Sequence, residues 1–275
     1  MMPTFRTDDG AELHYKVEGN ERGNPPLIFI HGWCSNLNHW EQQVRYFQNS
    51  HRILRMDRRG MGKSTTPGAG HTPQQHAADI AALARHEGFT NAVAIAHAGG
   101  GPAGVYFCSE YPELARAYVM VDTAISPGFA LDHPSKMPAR FYAEMIEKMT
   151  APDGEQYFRQ LYTSFFGAQA DRALVEAAVT EASRTPVDTR VKELKLMASD
   201  TATPAATMRQ PVLVIAGPWL ADSFPQAVDH EKLKSLLKQA KHVELARAIG
   251  TGHFVQLEVP DQTNAFITSF VSRLA

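Results

Sequence analysis

The chain has 275 residues, of which 44% are hydrophobic and 20% are charged, with a formal net charge of −2. This length and composition fit one α/β domain that carries an insertion. The nearly balanced charge offers no attraction to phosphate backbones or anionic lipid, so we expect neither nucleic acid nor a membrane as a partner.

The first half of the chain alternates short apolar runs with helical patterns, which is typical of parallel strands joined by helices. The apolar runs predict strands, the first of them an edge strand, in 11–19, 25–32, 51–60, 91–101 and 115–122. Helical spacing predicts helices in 71–87 and 101–112.

This alternation of apolar runs and helical patterns stops after residue 125. The stretch from 126 to 208 has no clear strand but several helical segments rich in aromatic residues, in 140–149, 155–167 and 172–183. Strand patterns return in 210–217 and 241–246, and an amphipathic helix is predicted in 262–275. We predict an α/β core made of 1–125 and 209–275, with 126–208 as a helical cap.

No secretion signal and no apolar run of membrane-spanning length occurs in the sequence, which favours a cytoplasmic protein. Its two cysteines, Cys34 and Cys108, are too few for a disulfide framework and have no metal-ligand spacing.

The segment AHAGGG, residues 96–101, has the pattern of a nucleophile elbow, the tight strand-to-helix turn that exposes a catalytic side chain. Small residues at Ala96 and Gly100 let the backbones approach closely. Between them, where Ser, Cys or Asp normally attacks the substrate, stands Ala98. A methyl group cannot be a nucleophile, so we predict an elbow without covalent catalysis. The alternative is a glycine-rich turn with no site.

A second part of the site is predicted in HGWC, residues 31–34, directly after a buried strand. In such a loop one backbone N–H points at the substrate oxygen, and the residue after the elbow position supplies another. These donors would be Trp33 and Gly99, and we place His97 in the same substrate-binding group. We interpret His31 as a residue that supports the loop without transferring protons.

His253 lies in a glycine-flanked loop between the last predicted strand and the last helix, where a general base is expected. Two acids could orient it. Asp122 ends a predicted strand next to the elbow, whereas Asp222 follows the strand 210–217 two residues later than the usual Gly-x-x-Asp spacing. We favour Asp122, and we interpret Asp57 as a structural turn residue.

The predicted cap is rich in aromatic side chains, which we expect to be half core and half pocket lining: Phe141, Tyr142, Tyr157, Phe158, Tyr162, Phe165 and Phe166. Of these we assign Phe141 and Tyr162 to substrate binding. Such a cap favours a flat apolar substrate over a sugar or phosphate. The glycines follow no nucleotide-binding pattern and no metal-ligand cluster is evident, so we predict neither a cofactor nor a metal. We expect the protein to be a monomer or a homodimer.

At HGWC, AHAGGG, VMVD (119–122) and TGHF (251–254) the sequence resembles the α/β-hydrolase superfamily over essentially its whole length. This resemblance implies a mostly parallel central sheet with helices on both faces and a helical cap insertion. More narrowly, HGWC, Asp122 and His253 are similar to features of the cofactor-independent 3-hydroxy-4-oxoquinoline 2,4-dioxygenases, including enzymes that cleave alkylquinolone signals and so quench quorum sensing.

The narrower resemblance implies that a His/Asp dyad removes a proton from the substrate hydroxyl. The anion then reacts with dioxygen, and the ring opens with loss of carbon monoxide, so the partners would be a small aromatic substrate and dioxygen. Those relatives commonly carry Ser at the elbow and His after it, where this chain has Ala98 and Gly99. Two alternatives remain: an esterase or lactonase whose nucleophile is replaced by Ala98, and a non-catalytic ligand-binding protein on the same fold.

Overall fold

The apolar runs form one eight-stranded sheet in the computed structural model, which describes residues 3–20, 22–65, 69–126 and 137–274. Its strands are β1 (Thr4–Arg6), β2 (Glu12–Gly19), β3 (Leu27–Ile30), β4 (Arg52–Met56), β5 (Ala92–His97), β6 (Ala115–Val121), β7 (Val212–Ala216) and β8 (Val243–Arg247). The order across the sheet is β1-β2-β4-β3-β5-β6-β7-β8. Only the β1–β2 and β2–β4 pairs are antiparallel.

The helices fall between these strands and after the last of them. They are α1 (Glu41–Phe47), α2 (Pro73–His86), α3 (Gly101–Glu110), α4 (Met137–Thr150), α5 (Gly154–Ser164), α6 (Arg172–Ser183), α7 (Val187–Met197), α8 (Ala202–Ala205), α9 (Pro218–Ser223), α10 (His230–Leu236), α11 (Val255–Glu258) and α12 (Pro260–Val271). No helix of the described residues is both long and apolar enough to cross a membrane.

Helices cover both faces of the sheet because successive strand residues point to opposite sides. In β3, Ile28 and Ile30 join a hydrophobic cluster with residues of α2 and α3, while Leu27 and Phe29 join another with residues of α1 and α12. All four are fully buried. The predicted α/β-hydrolase fold, with a mostly parallel sheet between two helical layers, is confirmed.

The prediction that 11–19 is an edge strand is wrong. The corresponding strand, β2, pairs on one side with β4 and on the other with β1, which therefore forms the edge. Thr4–Arg6 is only three residues long, too short to show the apolar pattern from which the other strands were predicted.

Helices α4 to α8 lie between β6 and β7, in the interval predicted to be a cap. Aromatic side chains from α4 and α5 pack with Trp33 and Phe254 in a third hydrophobic cluster above the ends of the strands. The predicted cap also includes residues 127–136, which lie outside the described residues, and the division of the chain into core and cap stays a prediction.

The elbow after β5 gives a test of the fold. A Cβ added at Gly100 would lie 2.5 Å from the His31 carbonyl oxygen, a backbone atom with little freedom to move. We expect Gly100→Ala to lower the free energy of unfolding by about 3 kcal/mol, near the upper end for overpacked sites, as measured by urea denaturation.

Gly10→Ala is the control, because Gly10 has a φ of +87° but no atom within 4 Å of an added Cβ. The free energy of unfolding of this variant should fall only by the cost of the left-handed backbone, about 1 kcal/mol. Equal losses in the two variants would contradict the close backbone approach at the elbow.

Candidate active site

A histidine and an aspartate form a hydrogen-bonded pair at the carboxyl ends of the strands. His253 Nδ1 lies 2.6 Å from Asp122 Oδ2. The second carboxylate oxygen, Asp122 Oδ1, accepts a hydrogen bond of 2.6 Å from the Gly217 backbone N–H. Because a carboxylate oxygen accepts, Nδ1 of His253 donates this hydrogen bond and Nε2 is left to face a substrate, the orientation that a general base requires.

The sheet register brings this pair next to the elbow. His97 at the end of β5 pairs with Val121 at the end of β6, so Ala98 and Asp122 are the next residues on neighbouring strands. Both have a left-handed backbone, with φ values of +47°. The hydroxyl of Thr123 donates to the Ala98 carbonyl at 2.9 Å and ties the two turns together. Strained non-glycine residues of this kind cluster at functional sites.

The loop between β8 and α11 carries His253 against the segment that follows α5. Its backbone N–H donates to the Phe165 carbonyl at 2.7 Å. A Cβ at the preceding residue, Gly252, would lie 2.4 Å from the Gly167 nitrogen and from the Phe165 oxygen, so only glycine fits there. The segment 165–167, between α5 and α6, thus fixes the position of the histidine.

Aromatic rings enclose the His253 side chain, which is 9% exposed. The ring of Trp219 has its centroid 4.3 Å away, that of His97 lies at 4.8 Å, and those of Phe165 and Phe254 lie at 5.5 Å. Nε2 of His253 forms no hydrogen bond with the described residues. Such largely apolar surroundings strengthen electrostatic interactions around this nitrogen.

The two predicted oxyanion donors are neighbours. A Cβ added at Gly99 would lie 3.1 Å from the Trp33 backbone nitrogen, so the loop after β3 and the elbow approach each other closely. The Trp33 backbone N–H donates no hydrogen bond to any described residue. This donor is therefore available to a ligand oxygen.

A cavity of about 510 Å³ opens above these groups. Its lining includes every residue predicted for the site: Trp33, His97, Ala98, Gly99, Asp122, Phe141, Tyr162 and His253. Asp222, the rejected candidate acid, is exposed on α9 and is not part of the lining. The structure therefore assembles the predicted group around the His253–Asp122 dyad, and the catalytic roles of its members stay predictions.

Two of these lining residues also hold the site together. Nε2 of His97 donates to the His253 carbonyl oxygen at 3.0 Å, and burial lowers the pKa of His97 well below its usual value, so this ring is neutral. The Tyr162 hydroxyl lies 3.1 Å from Ser35 Oγ and 3.5 Å from the Trp33 carbonyl. Tyr162 thereby connects α5 to the loop that carries Trp33.

The aromatic side chains of the predicted cap divide much as expected. Four of the seven line the cavity: Phe141, Tyr142, Tyr162 and Phe165. The other three pack within the third hydrophobic cluster without lining the cavity: Tyr157, Phe158 and Phe166.

His31 and Asp57 have structural roles, as interpreted from the sequence. Nε2 of His31 accepts from the Arg58 backbone N–H at 2.8 Å, and its Nδ1 donates to the Gly32 carbonyl at 2.9 Å. Asp57 accepts from the backbone N–H groups of Leu37 and Lys63.

The structure also contains a buried polar cluster that was not predicted from the sequence. His71 Nδ1, His76 Nε2 and a Glu193 carboxylate oxygen lie within 4.8 Å of one another, as metal ligands would. Arg58, however, donates to Glu193 at 2.7 Å and neutralises its charge. We therefore interpret the cluster as an ion pair with two histidines, because a divalent cation would be repelled by the guanidinium.

Comparison with known proteins agrees with this geometry. Residues 25–260 match the α/β hydrolase fold family. The chain belongs to the α/β hydrolase fold family. Among curated relatives, the chain is 30% identical over 184 residues to a non-heme chloroperoxidase of Streptomyces lividans, covering 66% of each chain. It is 28% identical over 176 residues to a bifunctional esterase/perhydrolase of Acinetobacter calcoaceticus, covering 63% of each.

The matched segment thus spans about two thirds of the length of these relatives or slightly less. Among solved structures, an enol-lactonase from Burkholderia xenovorans superposes with a TM-score of 0.82 at 19% identity, covering 98% of this chain and all of the other. At that identity the likeness shows the fold alone. The narrower resemblance to quinolone dioxygenases stays a prediction.

The dyad predicts a spectroscopic signature that needs no substrate. A short hydrogen bond between an imidazole N–H and a carboxylate should move the His253 Nδ1 proton far downfield in the NMR spectrum of this α/β hydrolase. We expect Asp122→Asn to abolish or strongly shift that resonance, because the charged acceptor is lost. Asp222→Asn is the control and should leave it unchanged. If only the Asp222 variant alters the resonance, His253 is paired with the other acid.

Proposed function

We propose that this α/β hydrolase is an enzyme whose His253–Asp122 dyad acts as a general base, without forming a covalent intermediate on the protein. The observation that carries the proposal is the combination of Ala98 at the elbow with a dyad held at 2.6 Å in the same cavity. Covalent catalysis needs a nucleophile at that position, whereas proton abstraction needs only the base.

The reaction begins with a substrate that presents an acidic hydroxyl to His253 Nε2 and a carbonyl oxygen to the oxyanion donors. His253 takes the hydroxyl proton, and the Asp122 carboxylate stabilises the imidazolium that forms. Negative charge that spreads to the carbonyl oxygen is stabilised by the backbone N–H groups of Trp33 and Gly99. Because aromatic side chains surround these groups, both interactions are stronger than they would be in solution.

The substrate class that fits these steps is a 3-hydroxy-4-quinolone. It has a hydroxyl next to a carbonyl on a flat ring, which matches the base, the two donors and the aromatic lining. The similarity of HGWC, Asp122 and His253 to the ring-cleaving dioxygenases supports the same choice. One dioxygen adds to the substrate anion, and the ring opens with release of one carbon monoxide. No metal or organic cofactor is called for in these steps.

A second candidate is hydrolysis of an ester or lactone, which the esterase and lactonase names among the relatives favour. In this chain His253 would activate a water molecule beside the Ala98 methyl, and the same two N–H groups would stabilise the tetrahedral oxyanion. Ligand binding without turnover is the third outcome to be distinguished.

The first test follows oxygen uptake and carbon monoxide release when metal-stripped protein is mixed with a 2-alkyl-3-hydroxy-4-quinolone in aerated buffer. We expect one equivalent of each gas per substrate. His253→Ala should abolish turnover, and Asp122→Ala should slow it by ~10²–10⁴-fold through loss of the oriented base. His86→Ala, an exposed histidine on α2, is the matched control and should keep full activity.

Substrate loss that proceeds equally without oxygen, or that needs added metal or flavin, contradicts the dioxygenase mechanism. Tight binding without turnover supports the ligand-binding alternative instead.

The second test uses activated esters. We expect no burst of p-nitrophenol from p-nitrophenyl esters and no acyl-protein adduct by mass spectrometry, because Ala98 cannot be acylated. An adduct on this chain would contradict the assignment of Ala98 to the elbow. Ala98→Ser separates the two candidates: rapid ester hydrolysis through an acyl-enzyme in that variant favours the hydrolase, and continued inactivity on esters favours the dioxygenase.

A further inference from the structure

A fully buried arginine, Arg58, forms hydrogen bonds to the loop that carries Trp33. Arg58 follows β4, and its Nε donates to the His31 carbonyl at 3.0 Å while Nη2 donates to the Gly32 carbonyl at 3.1 Å. Its backbone N–H also donates to the His31 ring at 2.8 Å. Three hydrogen bonds from one residue therefore fix the two positions directly before the oxyanion donor Trp33.

The remaining donor group of this arginine is held by the cap. Arg58 Nη1 lies 2.7 Å from Glu193 Oε2 on α7, and both side chains are 1% exposed. His71 and His76 face the other carboxylate oxygen at 3.0 and 3.1 Å. Burial alone would raise the pKa of Glu193, but the Arg58 charge and the two histidines hold it well below its usual value, so Glu193 is ionised.

Helix α7 contacts the oxyanion donors at two further points. The indole Nε1–H of Trp33 donates to the Arg190 carbonyl at 3.0 Å. Beside the second donor, a Cβ added at Gly99 would lie 3.0 Å from Met197 Sδ. One face of α7 thus reaches the ion pair, the Trp33 indole and the elbow.

We propose that Glu193 and Arg58 are positioning residues that lock the oxyanion loop to helix α7 and so hold the Trp33 backbone N–H in place for catalysis. This inference rests on the proposed function for the role of that N–H. The loop needs this support because Cys34, next to Trp33, has a left-handed φ of +49°, a backbone conformation that L-residues do not favour. Neither Glu193 nor Arg58 lines the cavity, so neither touches substrate.

The physical reason is the cost of a buried unpaired charge. If Glu193 becomes neutral, the guanidinium loses its counter-ion in a buried site and must find another partner. Its hydrogen bonds to the two loop carbonyls are then strained or released. A displacement of about 1 Å at a group that stabilises the transition state can lower turnover about 100-fold.

The test compares Glu193→Gln with a matched control, Asp79→Asn. Asp79 is also buried and pairs at 2.7 Å with a buried arginine, Arg59, but this second pair contacts Asp9 and Ala69 rather than the oxyanion loop. Both substitutions neutralise a buried acid beside a buried arginine. Because Arg59 keeps Asp9 as a second acidic partner, the free energy of unfolding should fall less in the control. Arg58→Lys, which keeps the charge but loses the forked contacts, serves as the second variant should Glu193→Gln fail to fold.

The first readout is hydrogen exchange of the Trp33 indole N–H, followed by NMR. We expect exchange to accelerate about 10-fold or more in Glu193→Gln and Arg58→Lys, and to stay unchanged in Asp79→Asn. The Trp40 indole, buried elsewhere in the core, is the internal reference. This readout needs no substrate, so it decides the positioning role even if both proposed activities fail. Unchanged exchange in both test variants overturns the inference.

The second readout is steady-state kinetics on whichever substrate is turned over. We expect kcat to fall about 10- to 100-fold in Glu193→Gln with KM nearly unchanged, since the loop contributes to the transition state more than to binding. Asp79→Asn should keep its kcat. An equal fall in kcat in the control, or a rise in KM that explains the whole loss, shows a merely structural role and also overturns the inference.

Discussion

The parallel pairing of β5 with β6 is the constraint on which the rest of the site depends. It sets His97 opposite Val121, so the chain turns at Ala98 and Asp122 side by side, each with a left-handed backbone. Both turns are held by their neighbours: the Thr123 hydroxyl bonds to the elbow carbonyl, and the Gly217 N–H bonds to the Asp122 carboxylate. A slip of one residue would turn the acid away from His253.

Because the site depends on this strand pairing, the sequence was enough to predict the residues at the carboxyl ends of β5 and β6. Buried parallel strands are continuous apolar runs, and the residue that ends each run lies at the same edge of the sheet. AHAGGG and VMVD could therefore be placed side by side without a structure, and Asp122 could be preferred to Asp222. The short strand β1 and the helices α1, α9 and α10 were not predicted, because each is too short for a clear period.

Helix α7 went unpredicted for a different reason. Its buried face carries Thr189, Arg190 and Glu193, so the apolar spacing that marks a helix is interrupted by polar residues. Their partners come from distant parts of the chain, with Arg58 lying 135 residues before Glu193. Hydrophobic periodicity cannot detect a polar contact between such segments. For the same reason the His71–His76–Glu193 cluster was not predicted, since no local spacing of residues reveals it.

An elbow without a nucleophile changes what the surrounding structure must achieve. A covalent mechanism shares the barrier between two chemical steps, whereas a base acting alone must meet its substrate in one correct geometry. In the proposed mechanism, catalysis then rests on how rigidly the base and the oxyanion donors are held. Both residues are tied to the segment between β6 and β7: His253 through its N–H to Phe165, and Trp33 through its indole to Arg190. The helices that shape the cavity therefore also hold the residues to which the proposal assigns the chemistry.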